Sequence, residues 1–314
     1  MQLNYSIIIP HKNSPQLLQR CLDSIPKRGD LEVIIVDNNS SDDIVDFDHY
    51  PGFDRKGVKI LYDNESKGAG GARNIGLKEA KGKWILFVDA DDFFNYCIHD
   101  ILNDYIGVDD KDIIFFKINS VYSDTYVNSK RGWALNKAID RYKTNKEKST
   151  AELRFSFFSP WGKLIRKDFL TINHICFEDT VIMNDNYFGY HLGYYADNIA
   201  VDNRAICCIT ERPGSVSKNK SPEAIIECIR IKTDAELFYQ KHRIPASFLK
   251  NANYHFFWVL LKEHRAFWRN GLRVFLLNGI PLRSIVIRMS FSEIVVFFER
   301  LIRNIQHIFD FWRK

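Results

Sequence analysis

The fold of this chain is decided by the stretch Trp84-Ile85-Leu86-Phe87-Val88-Asp89-Ala90-Asp91-Asp92. Its apolar run predicts a buried β-strand that ends on three carboxylates. Side chains alternate along an extended chain, so Asp89 and Asp91 are expected to face one cation. Mg²⁺ or Mn²⁺ prefers oxygen ligands and often takes only one or two protein carboxylates, which leaves positions for substrate phosphates. The stretch indicates a metal-nucleotide site, and an acidic loop that only ends a strand is the alternative.

Further strands and helices alternate around this stretch. Apolar runs predict strands at 5–10, 31–36, 58–62, 84–88 and 112–118. Helices are predicted between them, at 15–25 and after the glycine-rich stretch that begins at Lys67. Alternating strands and helices are typical of a mainly parallel α/β sheet, in which ligands bind beyond the carboxyl ends of the strands. The polar motifs of the first ninety residues lie at such ends.

Four ordered motifs resemble those of the family 2 glycosyltransferases, inverting sugar transferases with the GT-A fold. They are Ser6 to Asn13, Glu32 to Asp42, Lys67 to Gly76 and Asp89 to Asp92. The second motif departs from the family pattern, because Asn38 and Asn39 replace an Asp and a Gly. The resemblance implies a Rossmann-like, mainly parallel sheet flanked by helices, with a helical C-terminal extension, in an enzyme of the bacterial surface-polysaccharide type.

The resemblance also implies the residues that bind the nucleotide sugar. Asp37 ends a strand where a carboxylate can accept a hydrogen bond from a base or ribose, and Arg73 offers a planar fork of donors that suits a diphosphate. The expected metal ligands are Asp91 and Asp89, and the expected cofactor is Mn²⁺ or Mg²⁺. The full expected set is Pro10, His11, Asn13, Asp37, Asn39, Gly70, Arg73, Asp89, Ala90 and Asp91.

Inverting transfer needs a carboxylate that takes the proton of the acceptor hydroxyl. In the family, the base is the Asp of a Glu-Asp-X-X-Phe motif that follows a Phe-containing strand. Asp185 fits this motif by its spacing from Phe177 and keeps the aromatic residue three places on, at Phe188. Asp179 belongs to a literal Glu-Asp pair and is the alternative base.

Two flanking segments resemble other family motifs. The family's Trp-X-Lys-Leu segment is matched from Trp161 to Leu164, which places Trp161 and Lys163 with Asp185 on the acceptor side. A Trp can stack on the apolar face of a sugar, and packing in the hydrophobic core is the alternative. The stretch 206–217 resembles the end of the family domain, with a lid loop and with Arg212 as an expected diphosphate contact.

Composition and length predict two domains inside a cytoplasmic protein. The 314 residues contain six cysteines without a Cys-X-X-Cys pair or zinc-ligand spacing, as expected for reduced thiols. No signal peptide precedes the first strand. We expect a GT-A catalytic domain at 1–217 and a helical, basic, amphipathic region at 218–314.

The C-terminal region differs in charge from the rest of the chain. From Leu261 to Lys314 there are ten Lys or Arg and four Asp or Glu, whereas the preceding 260 residues are almost neutral. Apolar residues recur there at helical spacing, which is typical of a helix lying on an anionic bilayer on the inner face of the cell membrane. The stripe consists of Ile294, Phe297, Phe298, Leu301, Ile305, Ile308, Phe309 and Trp312. Packing on the catalytic domain or on a second copy, as in a homodimer, is the alternative, and no nucleic-acid motif is present.

The expected reaction is a single displacement in which Asp185 deprotonates a hydroxyl of a saccharide or lipid-linked saccharide acceptor. That oxygen attacks the anomeric carbon of a nucleotide diphosphate sugar, most simply a UDP-sugar. Two alternatives stay open: a sugar nucleotidyltransferase, and a noncatalytic membrane-associated partner that keeps the fold. Donor sugar and linkage depend on pocket contacts that the sequence does not identify.

Overall fold

The structure is a computed structural model that describes residues 2–212, 221–249, 252–264 and 266–287, together with 294, 297, 298, 301 and 302. The lid stretch 213–217 and half of the C-terminal apolar stripe, namely Ile305, Ile308, Phe309 and Trp312, lie outside these residues. The chain divides into two compact units, Met1–Ser217 and Lys218–Lys314.

The first unit contains eight strands and seven helices among its described residues. The strands are β1 (Tyr5–His11), β2 (Leu31–Asn38), β3 (Val58–Asp63), β4 (Trp84–Phe87), β5 (Phe93–Phe94), β6 (Ile113–Tyr122), β7 (Lys163–Arg166) and β8 (Ile199–Glu211). The helices are α1 (Pro15–Asp23), α2 (Ala69–Glu79), α3 (Ile98–Asp104), α4 (Trp133–Arg141), α5 (Lys146–Ser156), α6 (Lys167–Ile172) and α7 (Asp185–Tyr195).

All eight strands form one sheet in the order β3-β2-β1-β4-β7-β6-β8-β5. The pairs β2–β3, β1–β2, β1–β4 and β6–β8 are parallel, whereas β7 runs antiparallel between β4 and β6, and β5 runs antiparallel to β8. The expected mainly parallel α/β sheet is therefore confirmed. The two short antiparallel strands were not expected from the sequence.

The central strands are apolar on both faces because helices cover the sheet from both sides. Every residue of β1 is buried, and so is every residue of β4. Helix α1 begins with Pro15 in its first turn, where a missing N–H costs nothing, and buries Leu18, Cys21 and Leu22 at helical spacing. Parallel packing aligns the carboxyl ends of β1, β2 and β4 at one edge of the sheet, where the polar motifs follow.

The second unit is helical in its described residues. Its helices are α8 (Pro222–Lys241), α9 (Ala252–Glu263), α10 (Trp268–Leu277) and α11 (Leu282–Ile287). They share an apolar core in which the rings of Phe257 and Phe275 meet edge to face. Among the described residues, no helix combines the length and the apolar character needed to cross a bilayer.

Candidate active site

The loop after β4 brings three carboxylates together. The carboxylate oxygens of Asp89, Asp91 and Asp92 lie within 4.8 Å of one another. The turn is closed by the Asp92 N–H, which donates to the Asp89 carbonyl at 2.9 Å, and by the Thr210 N–H, which donates to the Asp92 carboxylate at 2.7 Å. We call residues 89–92 the acidic loop.

The acidic loop crowds three carboxylates beside two arginines: Asp89 pairs with Arg73, and Asp91 pairs with Arg212. Burial and the neighbouring Asp89 charge raise the pKa of Asp91, which Arg212 opposes through an ion pair at 3.0 Å. Burial and the charges of Asp89 and Asp91 raise the pKa of Asp92 well above its usual range. Crowded carboxylates of this kind are typical of cation sites.

The donor set of the acidic loop fits a hard divalent cation. Asp89 and Asp91 are half-buried, so their oxygens are open to a ligand, whereas Asp92 is buried and already accepts from Thr210. Two carboxylates with open positions beside them match the way proteins hold Mg²⁺ or Mn²⁺ with substrate phosphates. The expected ligands Asp89 and Asp91 are the two that the fold leaves accessible.

Arg73 joins the acidic loop to the segment that carries the candidate bases. Its guanidinium donates to the Asp89 carboxylate and, at 2.9 Å, to the Asn184 side-chain oxygen, while lying over the ring of Phe177 at 5.2 Å. The side chain is 6% exposed. The sequence predicted a diphosphate contact for Arg73, and the structure gives it internal partners on both sides of the site.

The two candidate bases have different surroundings. Asp179 accepts a hydrogen bond from the Lys67 N–H at 2.9 Å, so it fixes the chain at the entry to α2. Asp185 is half-buried and is the first residue of α7. It follows Asn184, the residue bonded to Arg73, so the chain brings Asp185 close to the acidic loop.

The glycine-rich stretch before α2 packs against the segment of the candidate bases. A Cβ at Gly70 would overlap the Glu178 carbonyl oxygen and come within 2.7 Å of the Asn184 Cβ. A Cβ at Gly71 would lie 2.8 Å from the Asp179 carboxylate. The absence of side chains here therefore allows two loops to touch, rather than opening a cradle for phosphate.

Lys163 and Trp161 lie in the interior. The Lys163 ammonium donates to the carbonyl oxygens of Phe157, at 3.1 Å, and Ser159. Burial lowers the pKa of Lys163 to about 7, and the Asp185 charge opposes this shift, so the two groups are within electrostatic reach. Trp161 is buried, with the Arg131 guanidinium 6.0 Å from its ring centroid. Of the three expected acceptor residues, Asp185 is the most exposed.

The loop after β2 is built around Asp37, which is 2% exposed. Its carboxylate accepts from His11 Nδ1 at 2.8 Å, from the Tyr50 hydroxyl at 2.8 Å, and from the Ser40 N–H and hydroxyl at 2.9 and 2.7 Å. Burial raises the pKa of Asp37, but these donors outweigh it and lower the pKa to about 2. His11 Nε2 accepts from the Ser14 N–H, which assigns the ring proton to Nδ1. The predicted nucleotide contact is thus a buried anchor of this loop.

The remaining predicted residues shape the same edge of the sheet. Asn13 accepts from the Ser41 N–H at 2.8 Å, which ties the loop after β1 to the loop after β2. Asn39 is exposed at φ +58°, a left-handed conformation that Gly and Asn adopt more readily than other residues, so Asn suits the family's Gly position. Pro10 and Ala90 are buried and shape the backbone.

Asn38 has partners that explain its departure from the family pattern. Its amide donates to the Asp63 carboxylate at 3.1 Å and to the Ser66 carbonyl at 3.0 Å. A carboxylate at this position could donate to neither, so the Asn belongs to the internal hydrogen bonding of this loop.

Sequence reasoning missed three residues that organise the site. Arg20 donates to the Asp91 carbonyl, the Thr210 hydroxyl donates to the same carbonyl at 2.7 Å, and Tyr50 donates to Asp37. Arg20 lies on the polar side of an amphipathic helix and Thr210 lies in a strand, so neither carries a local signal. Their roles become visible only when strands distant in sequence are adjacent.

Comparison with known proteins agrees with the fold. The fold resembles the crystal structure of Staphylococcus aureus TarS 1-349 in complex with UDP-GlcNAc, with a TM-score of 0.65 and 24% identity over 90% of this chain and 83% of that chain. The sheet and its flanking helices thus have the GT-A fold. Residues 6–171 match the family described as Glycosyl transferase family 2, and the chain belongs to that family.

Curated relatives share much of this chain. The poly(ribitol-phosphate) beta-N-acetylglucosaminyltransferase TarS of Staphylococcus aureus (strain Mu50) is 28% identical over 92% of this chain and 52% of its own length. The uncharacterized glycosyltransferase EpsJ of Bacillus subtilis (strain 168) is 24% identical over 76% of this chain and 70% of its own length. The chain therefore spans about half of TarS and 70% of EpsJ.

Proposed function

We propose that this protein transfers a sugar from a UDP-sugar to a hydroxyl of a saccharide acceptor, with inversion, in the assembly of a bacterial surface polysaccharide or glycolipid. The observation that carries the proposal is the Arg73 guanidinium, which bonds to Asp89 of the acidic loop and to Asn184 beside Asp185. The Arg73 side chain thereby holds the proposed cation ligand Asp89 close to Asn184, the neighbour of the proposed base. The UDP-GlcNAc complex of TarS supports the choice of donor.

In this proposal Asp185 is the base and Asp89 and Asp91 form the cation site. Asp185 accepts the proton of the acceptor hydroxyl as that oxygen attacks the anomeric carbon, and the bond to the diphosphate breaks on the opposite face. A Mg²⁺ or Mn²⁺ ion bound there would supply compensation for the negative charge of the departing diphosphate. Lys163 donates to the carbonyls of Phe157 and Ser159 and so fixes the segment before β7.

The base assignment is tested with two matched variants, Asp185→Asn and Asp179→Asn. We expect Asp185→Asn to abolish transfer while UDP binding persists, because the amide cannot take a proton. Asp179→Asn should retain turnover, because the amide oxygen can still accept from the Lys67 N–H. The measurement is product formation from a panel of UDP-sugars with Mn²⁺ or Mg²⁺. The reverse result would make Asp179 the base.

The same assay separates the other functions. Formation of a sugar nucleotide from a sugar phosphate and a nucleoside triphosphate would identify a nucleotidyltransferase. Binding of UDP without transfer or hydrolysis under any condition would identify a noncatalytic partner. The family match of residues 6–171 supports transfer over both.

The second unit offers a surface suited to the cytoplasmic face of an anionic membrane. Between His264 and Ile287 the sequence contains four Arg and no Asp or Glu. Leu277 is 75% exposed and Ile287 is 79% exposed, and exposed arginines accompany them. Exposed apolar residues with unopposed cations match an anionic bilayer, where each cation near the surface contributes about 1 kcal/mol.

Vesicle flotation tests the membrane proposal. The full chain should float with vesicles rich in phosphatidylglycerol and stay behind with phosphatidylcholine vesicles. Charge reversal by Arg269→Glu with Arg273→Glu should abolish flotation, whereas Lys241→Glu on α8 serves as the matched control. If the two variants floated equally well and the wild type sedimented as a dimer, the surface would instead bind a second copy of the chain.

A further inference from the structure

The chain folds back as a hairpin at the end of β6. The Tyr122 N–H donates to the Val127 carbonyl at 2.9 Å, and the Tyr126 N–H donates to the Tyr122 carbonyl at 2.8 Å. The Ser129 N–H closes the hairpin by donating to the Ser120 carbonyl at 2.7 Å. These bonds fix a polar segment that the proposed chemistry does not use.

Two contacts anchor this hairpin beside the acidic loop. The Arg20 guanidinium donates to the Tyr126 hydroxyl at 3.1 Å and also to the Asp91 carbonyl. The Ser123 N–H donates to the Glu211 carbonyl at 2.9 Å, one residue before Arg212, which pairs with Asp91. The hairpin is therefore attached to the same residues that surround the expected diphosphate site.

The hairpin and the start of α4 expose large rings next to cations. Tyr126 is 58% exposed and Trp133 is 62% exposed, and the Lys137 ammonium lies 4.7 Å from the Trp133 ring centroid. Arg131 is exposed, with its guanidinium over the Trp161 ring. We call Tyr126, Arg131 and Trp133 the hairpin surface.

Positive charge is concentrated between Asp124, which lies in the hairpin, and Asp140. Residues 125–139 contain Lys130, Arg131 and Lys137 and no Asp or Glu. Within the described part of the chain, no ion pair is formed by these three side chains. Arg131 follows the hairpin, whose Tyr126 hydroxyl is bonded to Arg20, and Arg20 also donates to the Asp91 carbonyl. Cations without an ion-pair partner on a surface beside the proposed site favour an anionic ligand.

Rings and cations together indicate the chemistry of that ligand. Aromatic rings stack on the apolar faces of sugars and polyols, and a guanidinium binds phosphate oxygens through two parallel hydrogen bonds. We propose that the hairpin surface binds an acceptor chain of sugar or polyol units that carries phosphate groups, and presents its hydroxyl to the acidic loop. The inference rests on the proposed transferase function and names its acceptor class.

Direct binding tests the acceptor class independently of turnover. The full chain is titrated with a phosphodiester-linked polyol oligomer and with a neutral oligosaccharide of equal length, with UDP and Mn²⁺ present. We expect the phosphate-bearing chain to bind at least about tenfold more tightly, as one charged hydrogen-bonding pair provides. Arg131→Ala and Trp133→Ala should each weaken its binding by about tenfold, and Arg131→Lys should recover only part of the loss.

Matched controls lie at the opposite edge of the sheet. Lys56→Ala and Phe53→Ala remove an exposed cation and an exposed ring before β3 and should leave acceptor binding unchanged. UDP binding without acceptor, measured on the two hairpin variants and the two controls, should stay within about twofold of wild type. Equal affinity for the neutral and the phosphate-bearing chain, or unchanged binding in Arg131→Ala and Trp133→Ala, would overturn the inference. Absent UDP binding by the wild type would instead count against the transferase function.

Discussion

Two loops at the same edge of the sheet hold carboxylates in opposite ways. After β2, Asp37 is surrounded by donors from His11, Ser40 and Tyr50, and these lower its pKa to about 2. After β4, burial and like charges raise the pKa of Asp91 and of Asp92. An apolar strand ending on Asp therefore specifies two different things. One loop holds a saturated anchor, and the other holds crowded carboxylates that a cation can stabilise in addition to Arg73 and Arg212.

The largest test of this contrast is Asp91→Asn. We expect sugar transfer to fall at least about 100-fold, because the charge opposite the diphosphate is lost. The measurement is UDP release from the donor in the presence of acceptor and Mn²⁺. Asp54→Asn, at an exposed position before β3, is the control. Full activity of Asp91→Asn would contradict the assignment of a cation site to the acidic loop.

In the loop after β2, Asp37→Asn should act on stability. A native pKa of about 2, against the ordinary 3.8, corresponds to about 2 kcal/mol of folding free energy at neutral pH. Because the native pKa is depressed, this contribution is present above pH 3.8 and is lost as the pH falls through about 2.

Urea unfolding of wild type and Asp37→Asn at pH 7 and pH 3 measures this contribution. The difference between the two proteins should be largest at pH 7 and smaller at pH 3. A difference that grows towards acid would contradict the assignment of Asp37 as a saturated anchor.

Restoring the two family residues of this loop should have unequal effects. Asn38→Asp should lower the free energy of unfolding by about 1.5 kcal/mol, because the new carboxylate would face Asp63 and the Ser66 carbonyl without a donor. Asn39→Gly should change it by less than about 0.5 kcal/mol, because the site is exposed and left-handed. Thermal unfolding of the two variants, and the order of their midpoints, checks this.

In the acidic loop, one substitution is expected to increase stability modestly. Asp92→Asn keeps an oxygen for the Thr210 N–H and removes one of three crowded charges, so metal-free protein should gain about 1 kcal/mol. Unfolding in the presence of a chelator measures the gain. If Asp92→Asn destabilised the chelated protein, the Asp92 carboxylate would be stabilised by its neighbours rather than by a bound cation.

The sequence predicted those parts of the fold that depend on local pattern. The strands β1, β2 and β4 are unbroken apolar runs, and their ends and motifs are visible as such. The strand β5 is two residues long and β7 is four, so neither has a periodicity of its own. Their positions depend on pairing with β8 and with β4 and β6, which no local pattern specifies.

The sequence predicts which residues belong to the candidate site better than it predicts what each residue contacts there. Asp89, Asp91 and Asp185 follow from motif and spacing, and the family assignment on which they rest is confirmed. The partners of Asp37 and Arg73 come from far along the chain, such as Tyr50 and Asn184, so their saturation is a property of the tertiary structure. The roles of the individual site residues stay predictions for the experiments above.

The close contact at Gly70 means that the start of α2 and residues 178–184 must change together. Because the Glu178 carbonyl and the Asn184 side chain occupy the space of any Cβ there, a substitution at Gly70 would displace the turn that precedes Asp185. An insertion in residues 178–184 would likewise press on the start of α2. Attempts to graft a new acceptor preference by exchanging one of these segments between homologues should therefore exchange both together.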